Sequence, residues 1–234
     1  GWYVLRGTSE ELVRVIRIGG RLSGLAALRT LDVYLPRPRL VDVVVPRGAA
    51  HLRDPGDRHI PLARRSGIRV HWTDPPRGDN TPLPWIVSED EALLCVLRHE
   101  TREVAIACCD ALLRYRGWDH RRLEAVFARA PRRVHRWIDE VDGRADAWGE
   151  TVARVRVRDA GVPFEPQPFI AGVGTLDGRI SRRHYIEIDG IQHSDDWVGD
   201  APSSFESDHD RDILLLLIEG AHTIRITYRQ LESS

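Results

Sequence analysis

The stretch that decides the fold is RHYIEIDGIQH, residues 183–193. Alternate side chains of a β-strand point to opposite faces, so Ile186 and Ile188 share one face while Glu187 and Asp189 share the other. Two carboxylates only two positions apart repel each other unless a cation lies between them, and Mg²⁺ prefers oxygen ligands. We therefore expect a strand with an apolar back and a metal-binding front. An exposed edge strand with two solvated acids has the same pattern.

A third carboxylate, Asp177, lies upstream in GVGTLDGRI, residues 172–180. If these residues form a strand, a turn at residues 181–183 pairs that strand as a hairpin with the strand that carries Glu187. Asp177 then faces the same side as Glu187. The competing interpretation makes Asp177-Gly178 the hairpin turn, because Asp-Gly is a strong turn signal. The apolar residues around Asp177 favour the strand.

Charge is unevenly distributed over the 234 residues. Residues 1–146 carry 25 arginines against 20 acidic residues, and residues 147–234 carry 9 against 15, which gives net charges of +5 and −6. An acidic second half argues against broad electrostatic binding of phosphates there and suits a site that concentrates carboxylates for a metal ion. The chain contains neither lysine nor methionine, and we expect further sequence before its first residue.

Cysteine usage and hydropathy bear on the compartment. The chain has three cysteines, and the adjacent pair Cys108 and Cys109 lies in an apolar helical segment with neither a disulfide framework nor a zinc-site spacing. They are interpreted as buried thiols in a reducing cytoplasm. No apolar run reaches the roughly 18 residues of a membrane span, and no secretory signal is visible. We expect a cytoplasmic protein with no membrane partner.

The first half of the chain predicts a mixture of helices and strands. Two short helices joined by Gly19-Gly20, the second over residues 22–31, are compatible with part of a helix-turn-helix and with many other helical hairpins. Strand-like runs follow at residues 40–46 and 68–72, and helices follow from a capping box at residues 88–91 onwards.

A basic cluster lies in the helix predicted after Pro131. It presents Arg132, Arg133 and Arg136 within five residues. Such a cluster is typical of a nucleic-acid-binding surface, and a solvated helix face has the same composition.

A change of pattern at residues 143–146 predicts a domain boundary, with an α+β region at residues 1–145 and a second domain at residues 146–234. The second part predicts helix, three strands, helix, strand, which is an α/β fold with a mixed sheet flanked by helices. The predicted elements are a helix at 148–160, strands at 164–170, 173–180 and 185–189, a helix at 204–219, and a strand at 223–228.

This order and several motifs resemble the actinobacterial nuclease-like domains related to very-short-patch-repair (Vsr) endonucleases, in the PD-(D/E)XK superfamily. The resemblance implies a restriction-endonuclease-like αβββαβ core over roughly residues 147–231. Residues 1–140 are similar to the region that often follows an antitoxin-like winged helix, most of which would be missing here. The matching motifs are Glu150, GVPFEPQ (161–167), Leu176-Asp177, IEIDG (186–190), His193, FESDHDRD (205–212) and IRITYRQL (224–231).

The resemblance implies metal-dependent attack of water on a DNA phosphodiester. By position, Asp177 and Glu187 would hold Mg²⁺ or Mn²⁺, with Asp189 as a third candidate ligand where the superfamily usually has lysine. Glu150 matches the carboxylate of the preceding helix. His193 would orient or deprotonate water, as histidine can near neutral pH.

Two departures from the superfamily pattern bear on activity. Without lysine, the charge of the transition state falls to the metal, His193 or an arginine such as Arg211, which is also a candidate DNA contact. Gly178 replaces the usual bulky apolar residue after the aspartate, and we expect a less firmly packed strand there.

The sequence therefore predicts a metal-dependent DNA endonuclease or nickase in repair or in defence against foreign DNA. The alternatives are a DNA-binding, antitoxin-like regulator with an inactive nuclease fold, and an α/β domain that binds a small molecule or a protein.

Overall fold

A computed structural model of the chain describes residues 6–31, 33–63, 67–74, 83–189 and 203–232. The described residues form a mixed α/β structure, as predicted. The helices are α1 (Glu10–Ile18), α2 (Gly24–Arg29), α3 (Glu89–His99), α4 (Arg102–Tyr115), α5 (His120–Phe127), α6 (Trp148–Asp159), α7 (Ser203–Glu219), α8 (Tyr228–Glu232) and a 3₁₀ helix (Arg132–Glu140). The strands are β1 (Arg21–Ser23), β2 (Val41–Val45), β3 (Ile68–Trp72), β4 (Glu165–Pro166), β5 (Phe169–Ile170), β6 (Gly174–Thr175), β7 (Gly178–Ser181), β8 (His184–Asp189) and β9 (His222–Thr227). Across these described ranges, no helix has the length and hydropathy needed to cross a membrane.

The first sheet has the order β1-β2-β3, with β1 antiparallel and β3 parallel to β2. Its central strand β2 is buried, and Val41, Val43 and Val45 belong to the larger hydrophobic cluster. The helix predicted at residues 22–31 is shorter than expected, because Leu22 belongs to β1. The Leu22 N–H donates to the Trp85 carbonyl at 2.7 Å, and the Leu22 carbonyl accepts the Val87 N–H at 3.0 Å. These two hydrogen bonds fix Leu22 in an extended conformation.

Side-chain caps set the helix starts in the middle of the chain, and the first of them lies in the capping box predicted at residues 88–91. The hydroxyls of Ser88 and Thr101 accept N–H bonds from the first turns of α3 and α4, and the carboxylate of Asp119 does so for α5. The three cysteines are free and buried, which confirms that part of the prediction.

The second sheet has the order β4-β7-β8-β9, in which β8 and β9 are parallel and the other neighbours antiparallel. Its two faces pack differently. Ile188 on β8 packs against the cluster that includes Trp148 of α6, whereas Tyr185 packs with Leu215 of α7. Since these two residues are an odd number of positions apart on one strand, α6 and α7 cover opposite faces.

Two predicted strands are each broken in two. The expected strand at 164–170 divides into β4 and β5, and the expected strand at 173–180 into β6 and β7. Between β4 and β5, Gln167 has a left-handed backbone with φ 54° and is flanked by two prolines, which cannot donate to a ladder. The break therefore follows from local backbone chemistry that period-two patterning does not register.

The boundary predicted between residues 145 and 146 separates the two larger sheets among the described residues. The hydrophobic core nevertheless continues across it, because Trp148, Val152 and Ala153 of α6 join the cluster formed by the first half of the chain. The division into two domains stays a prediction.

Candidate functional site

The register of the β7–β8 hairpin brings Asp177 and Glu187 together. Gly178 pairs with Ile186, so the residue before β7 lies beside the residue that follows Ile186 on β8. The Asp177 carboxylate accepts the Ile188 N–H at 2.6 Å, and the carboxyl groups of Asp177 and Glu187 are within hydrogen-bonding range of each other. The hairpin turn lies at residues 182–183, so Asp177 is not in the turn.

Asp177 and Glu187, called the acidic pair below, both have raised pKa values. Burial, followed by the charge of Asp177, raises the pKa of Glu187 to about 8. Burial also raises the pKa of Asp177, against the N–H of Ile188 and the guanidinium of Arg211, which favour its ionised form. Near neutral pH the pair therefore carries less than two negative charges, and a cation can take the place of the proton.

Glu150 adds a third carboxyl group, from the first turn of α6. Its side chain is only 7% exposed, and one carboxylate oxygen accepts the Gln167 side-chain amide at 2.7 Å and the Asp146 N–H at 3.1 Å. Burial and then the charge of Asp177 raise the pKa of Glu150 to about 7. The protonation of Glu150 therefore depends on the charge of Asp177.

Gln167 connects these carboxyl groups, and the sequence did not single it out. Its backbone N–H donates to the Asp177 carbonyl at 3.2 Å while its side chain holds Glu150. A left-handed conformation is uncommon for residues other than glycine and marks strained positions, many of them in functional sites. The one sequence signal is its place between Pro166 and Pro168.

Arg211, one of the predicted site residues, reaches the acidic pair from α7. Its guanidinium lies 3.1 Å from a Glu187 carboxylate oxygen and donates to the Thr175 carbonyl at 2.8 Å. It therefore contributes positive charge directly beside Glu187.

A second arginine, Arg225 of β9, was missed in the sequence. It lies directly opposite Glu187 in the parallel β8–β9 register, and its guanidinium contacts Asp189 at 3.3 Å and Asp212 at 2.9 Å. The signal that identifies it is the alternation of Arg225 with Ile224 and Ile226 on a strand next to β8.

Asp189 is engaged by Arg225 rather than gathered with the acidic pair. Its side chain is 42% exposed. In the part of the chain that the structure describes, Asp177, Glu187 and Asp189 do not form a group whose ligand atoms all lie within 4.8 Å of one another. The structure thus brings two of the three predicted metal ligands together.

Gly178 makes room for an aromatic ring. A Cβ atom at this position would lie 2.2 Å from Cζ of Phe164. The ring occupies the place that a side chain at residue 178 would take, so the expectation of a loosely packed strand is wrong. The strand that positions Asp177 is covered by Phe164.

The remaining predicted residues lie elsewhere. His193 is outside the described residues. Arg132, Arg133 and Arg136 are exposed on the 3₁₀ helix, where Arg133 donates to the Arg98 carbonyl at 2.8 Å. Among the described residues, no hydrogen bond or ion pair joins these three arginines to the acidic pair. They stay candidate DNA contacts.

The site thus combines paired carboxyl groups, a third carboxyl of raised pKa and two guanidinium groups. Oxygen ligands suit a hard divalent cation, and guanidinium groups suit phosphate oxygens. Comparison of the chain with protein-family models, curated proteins and solved structures finds no match.

Proposed function

We propose that the chain is a Mg²⁺- or Mn²⁺-dependent hydrolase of DNA phosphodiester bonds, acting as an endonuclease or nickase. The observation that carries the proposal is the proximity of the Asp177 and Glu187 carboxyl groups at the β7–β8 hairpin, with Arg211 3.1 Å from Glu187. Carboxylates of raised pKa beside arginines in a partly buried site are typical of functional sites.

The donor set fits a hard divalent cation. Asp177 and Glu187 offer oxygen atoms side by side, and the raised pKa of each carboxyl group indicates that a positive charge beside them is favourable. When bound, the cation supplies polarisation of a phosphoryl oxygen and a lowered pKa of bound water. Asp177 and Glu187 would hold it.

The chain's own residues supply binding and proton transfer. Arg211 and Arg225 carry planar guanidinium groups, which bind two phosphate oxygens at once, and they stand in for the absent lysine. Glu150, with a pKa of about 7, holds or releases a proton near neutral pH and is suited to acid–base work. Gln167 keeps Glu150 oriented through its 2.7 Å hydrogen bond.

The experiment is a cleavage assay on supercoiled plasmid, duplex, single-stranded and mismatched DNA with Mg²⁺ or Mn²⁺. Wild type is expected to nick or cut DNA, and a chelator is expected to abolish activity. Asp177→Asn and Glu187→Gln are expected to lower the rate by at least about 100-fold, because each removes a charge on which the electrostatic stabilisation depends. Glu165→Gln, an exposed carboxylate of the same sheet paired with Arg179, is the matched control and should keep activity.

The second candidate is a DNA-binding regulator with an inactive nuclease fold. It is favoured by one observation: Arg211 and Arg225 already balance Glu187, Asp189 and Asp212 within the protein. A wild-type protein that binds DNA but cleaves none of the four substrates with either metal would establish this second function.

A further inference from the structure

A different group of metal-binding side chains lies in the first half of the chain. His71 of β3 meets Cys95 and His99 of α3, and one ligand atom from each lies within 4.8 Å of the other two. Cys95 and His99 are four residues apart, so they share one face of the helix. The sequence interpretation assigned no zinc spacing to the cysteines, because the third member comes from a distant strand.

The distances suit tetrahedral zinc. With Zn–S near 2.3 Å and Zn–N near 2.0–2.1 Å, a sulfur and a nitrogen on the same ion are about 3.5 Å apart. Cys95 Sγ lies 3.6 Å from His71 Nε2, and the His71 and His99 ring centroids are 4.7 Å apart. One thiolate and two imidazoles form a donor set that favours zinc over Mg²⁺ or Ca²⁺.

Asp42 of β2 supports the group with negative charge. It is 1% exposed, its carboxylate is held by two N–H groups of Arg69 at 2.6 and 2.8 Å, and one oxygen lies 2.6 Å from His71 Nε2. Coordination through that nitrogen would replace the hydrogen bond and leave the carboxylate beside the ion. The negative charge of Asp42 would then lie close to the ion, which favours cation binding.

A cavity of about 340 Å³ opens beside the three residues, which contribute to its lining. Arg21, Trp72 and Arg98 line other parts of it. A tetrahedral ion held by three side chains leaves one position, and this cavity has room for a water or a small molecule there.

A thiol nucleophile is the competing use of Cys95. A cysteine nucleophile needs an ionised thiol and access for a substrate. Cys95 is only 7% exposed and its Sγ already lies 3.6 Å from His71 Nε2, so a substrate has little access to the sulfur. The side chain is therefore better placed to bind a metal ion than to attack a substrate.

We propose that His71, Cys95 and His99 bind one Zn²⁺ ion whose fourth position opens into the cavity. Each imidazole donates a nitrogen lone pair, and the Cys95 thiol releases its proton to solvent as the sulfur bonds the metal. One proton is released for each ion bound. This site is independent of the acidic site and of the function proposed for it.

The test is a Co²⁺ titration of the full chain after dialysis against a chelator. One equivalent of Co²⁺ is expected to bind and to produce a thiolate-to-cobalt charge-transfer band in the near ultraviolet, which only a cysteine ligand can give. Equimolar Zn²⁺ should displace it and abolish the band. Metal analysis of protein purified without added metal should show zinc.

Variants locate the site. Cys95→Ser and His99→Ala should each remove the band or weaken Zn²⁺ binding by at least about tenfold, with folding verified by circular dichroism. His99 is exposed, so its variant is expected to fold. Cys108→Ala and His120→Ala are matched controls for the cysteine and the histidine ligands. Asp177→Asn tests whether the band depends on the acidic site. All three variants should keep the band. No Co²⁺ binding, binding without the band, or wild-type binding by folded His99→Ala would each overturn the proposal.

Discussion

The guanidinium of Arg154 on α6 lies 2.7 Å from the carboxylate of Asp110 on α4, and both side chains are almost completely buried. Asp110 also accepts the Thr151 hydroxyl at 2.7 Å and the N–H groups of Asp142 and Gly143 at 2.8 and 3.1 Å. This one carboxylate therefore ties α4 to the segment before α6 and to α6 itself. It fixes the helix whose first turn presents Glu150.

Arg154→Met is expected to lower the free energy of unfolding by about 3–5 kcal/mol, because it leaves the Asp110 charge buried without its cation. Urea denaturation monitored by circular dichroism measures this. Arg47→Met breaks an exposed pair with Asp74, with side chains 77% and 63% exposed, and should cost less than about 1 kcal/mol. Equal losses in the two variants would contradict the structural role assigned to the buried pair.

Metal-free protein should become less stable as the pH rises from about 5 to 8. In the folded protein the pKa of Glu187 is about 8 and that of Glu150 is about 7, against an ordinary value of 4.5 for both. The folded state binds more protons than the unfolded state over this interval, so the free energy of unfolding falls with rising pH. Glu187→Gln cannot ionise and should flatten the decline.

Chemical denaturation at several pH values in the presence of a chelator measures this effect. At pH 8 the Glu187→Gln protein should be more stable than wild type by roughly 1–3 kcal/mol. Glu165→Gln, which alters an exposed carboxylate, should follow the wild-type curve. If Glu187→Gln showed the same pH dependence as wild type, Glu187 would not be the group that retains the proton.

Gly178→Ala should destabilise the protein by about 1–3 kcal/mol, because the added methyl overlaps the Phe164 ring. Phe164→Leu removes ring atoms at that point and should relieve the overlap. In a double-mutant cycle the pair should therefore be less destabilising than the sum of the single changes. Additive losses would mean that the ring does not limit the space at residue 178.

Alternation of side chains was enough to predict the parts of the site that lie on one hairpin. The period-two pattern of β8 placed Glu187 opposite the isoleucines, and a turn at residues 181–183 then aligned Asp177 with it. Both inferences depend only on neighbours in sequence. The same reasoning extended the strands through Gln167, because alternation carries no information about a left-handed backbone between prolines.

Contacts between distant segments were beyond single-sequence reasoning. Arg225 was missed because the parallel register between β8 and β9 depends on how α7 crosses between them. His71 was missed as a partner of Cys95 because β3 and α3 meet only through the fold of the first half. In each case the residue type suits the chemistry, but nothing in the local pattern fixes its position.

If the proposed nuclease function holds, arginines that stabilise the transition state and arginines that only bind DNA should differ in their effect on the cleavage rate. Arg225 lies opposite Glu187, and Arg211 contacts it. Arg225→Gln and Arg211→Gln should each lower the single-turnover cleavage rate at saturating DNA by about 100-fold, because both remove positive charge where the transition state gains negative charge. Rapid-quench cleavage assays measure that rate.

The exposed arginines of the 3₁₀ helix are the comparison set. Arg132→Gln and Arg136→Gln should weaken DNA binding at all sequences and reduce the salt dependence of the affinity by about one counterion each, because each would remove one phosphate contact. Their cleavage rate at saturating DNA should equal that of wild type, since neither residue bonds the acidic pair. Fluorescence anisotropy over a range of salt concentrations measures the affinities. A loss of cleavage rate in Arg132→Gln with no loss in Arg225→Gln would contradict the assignment and move the reacting phosphate away from β8.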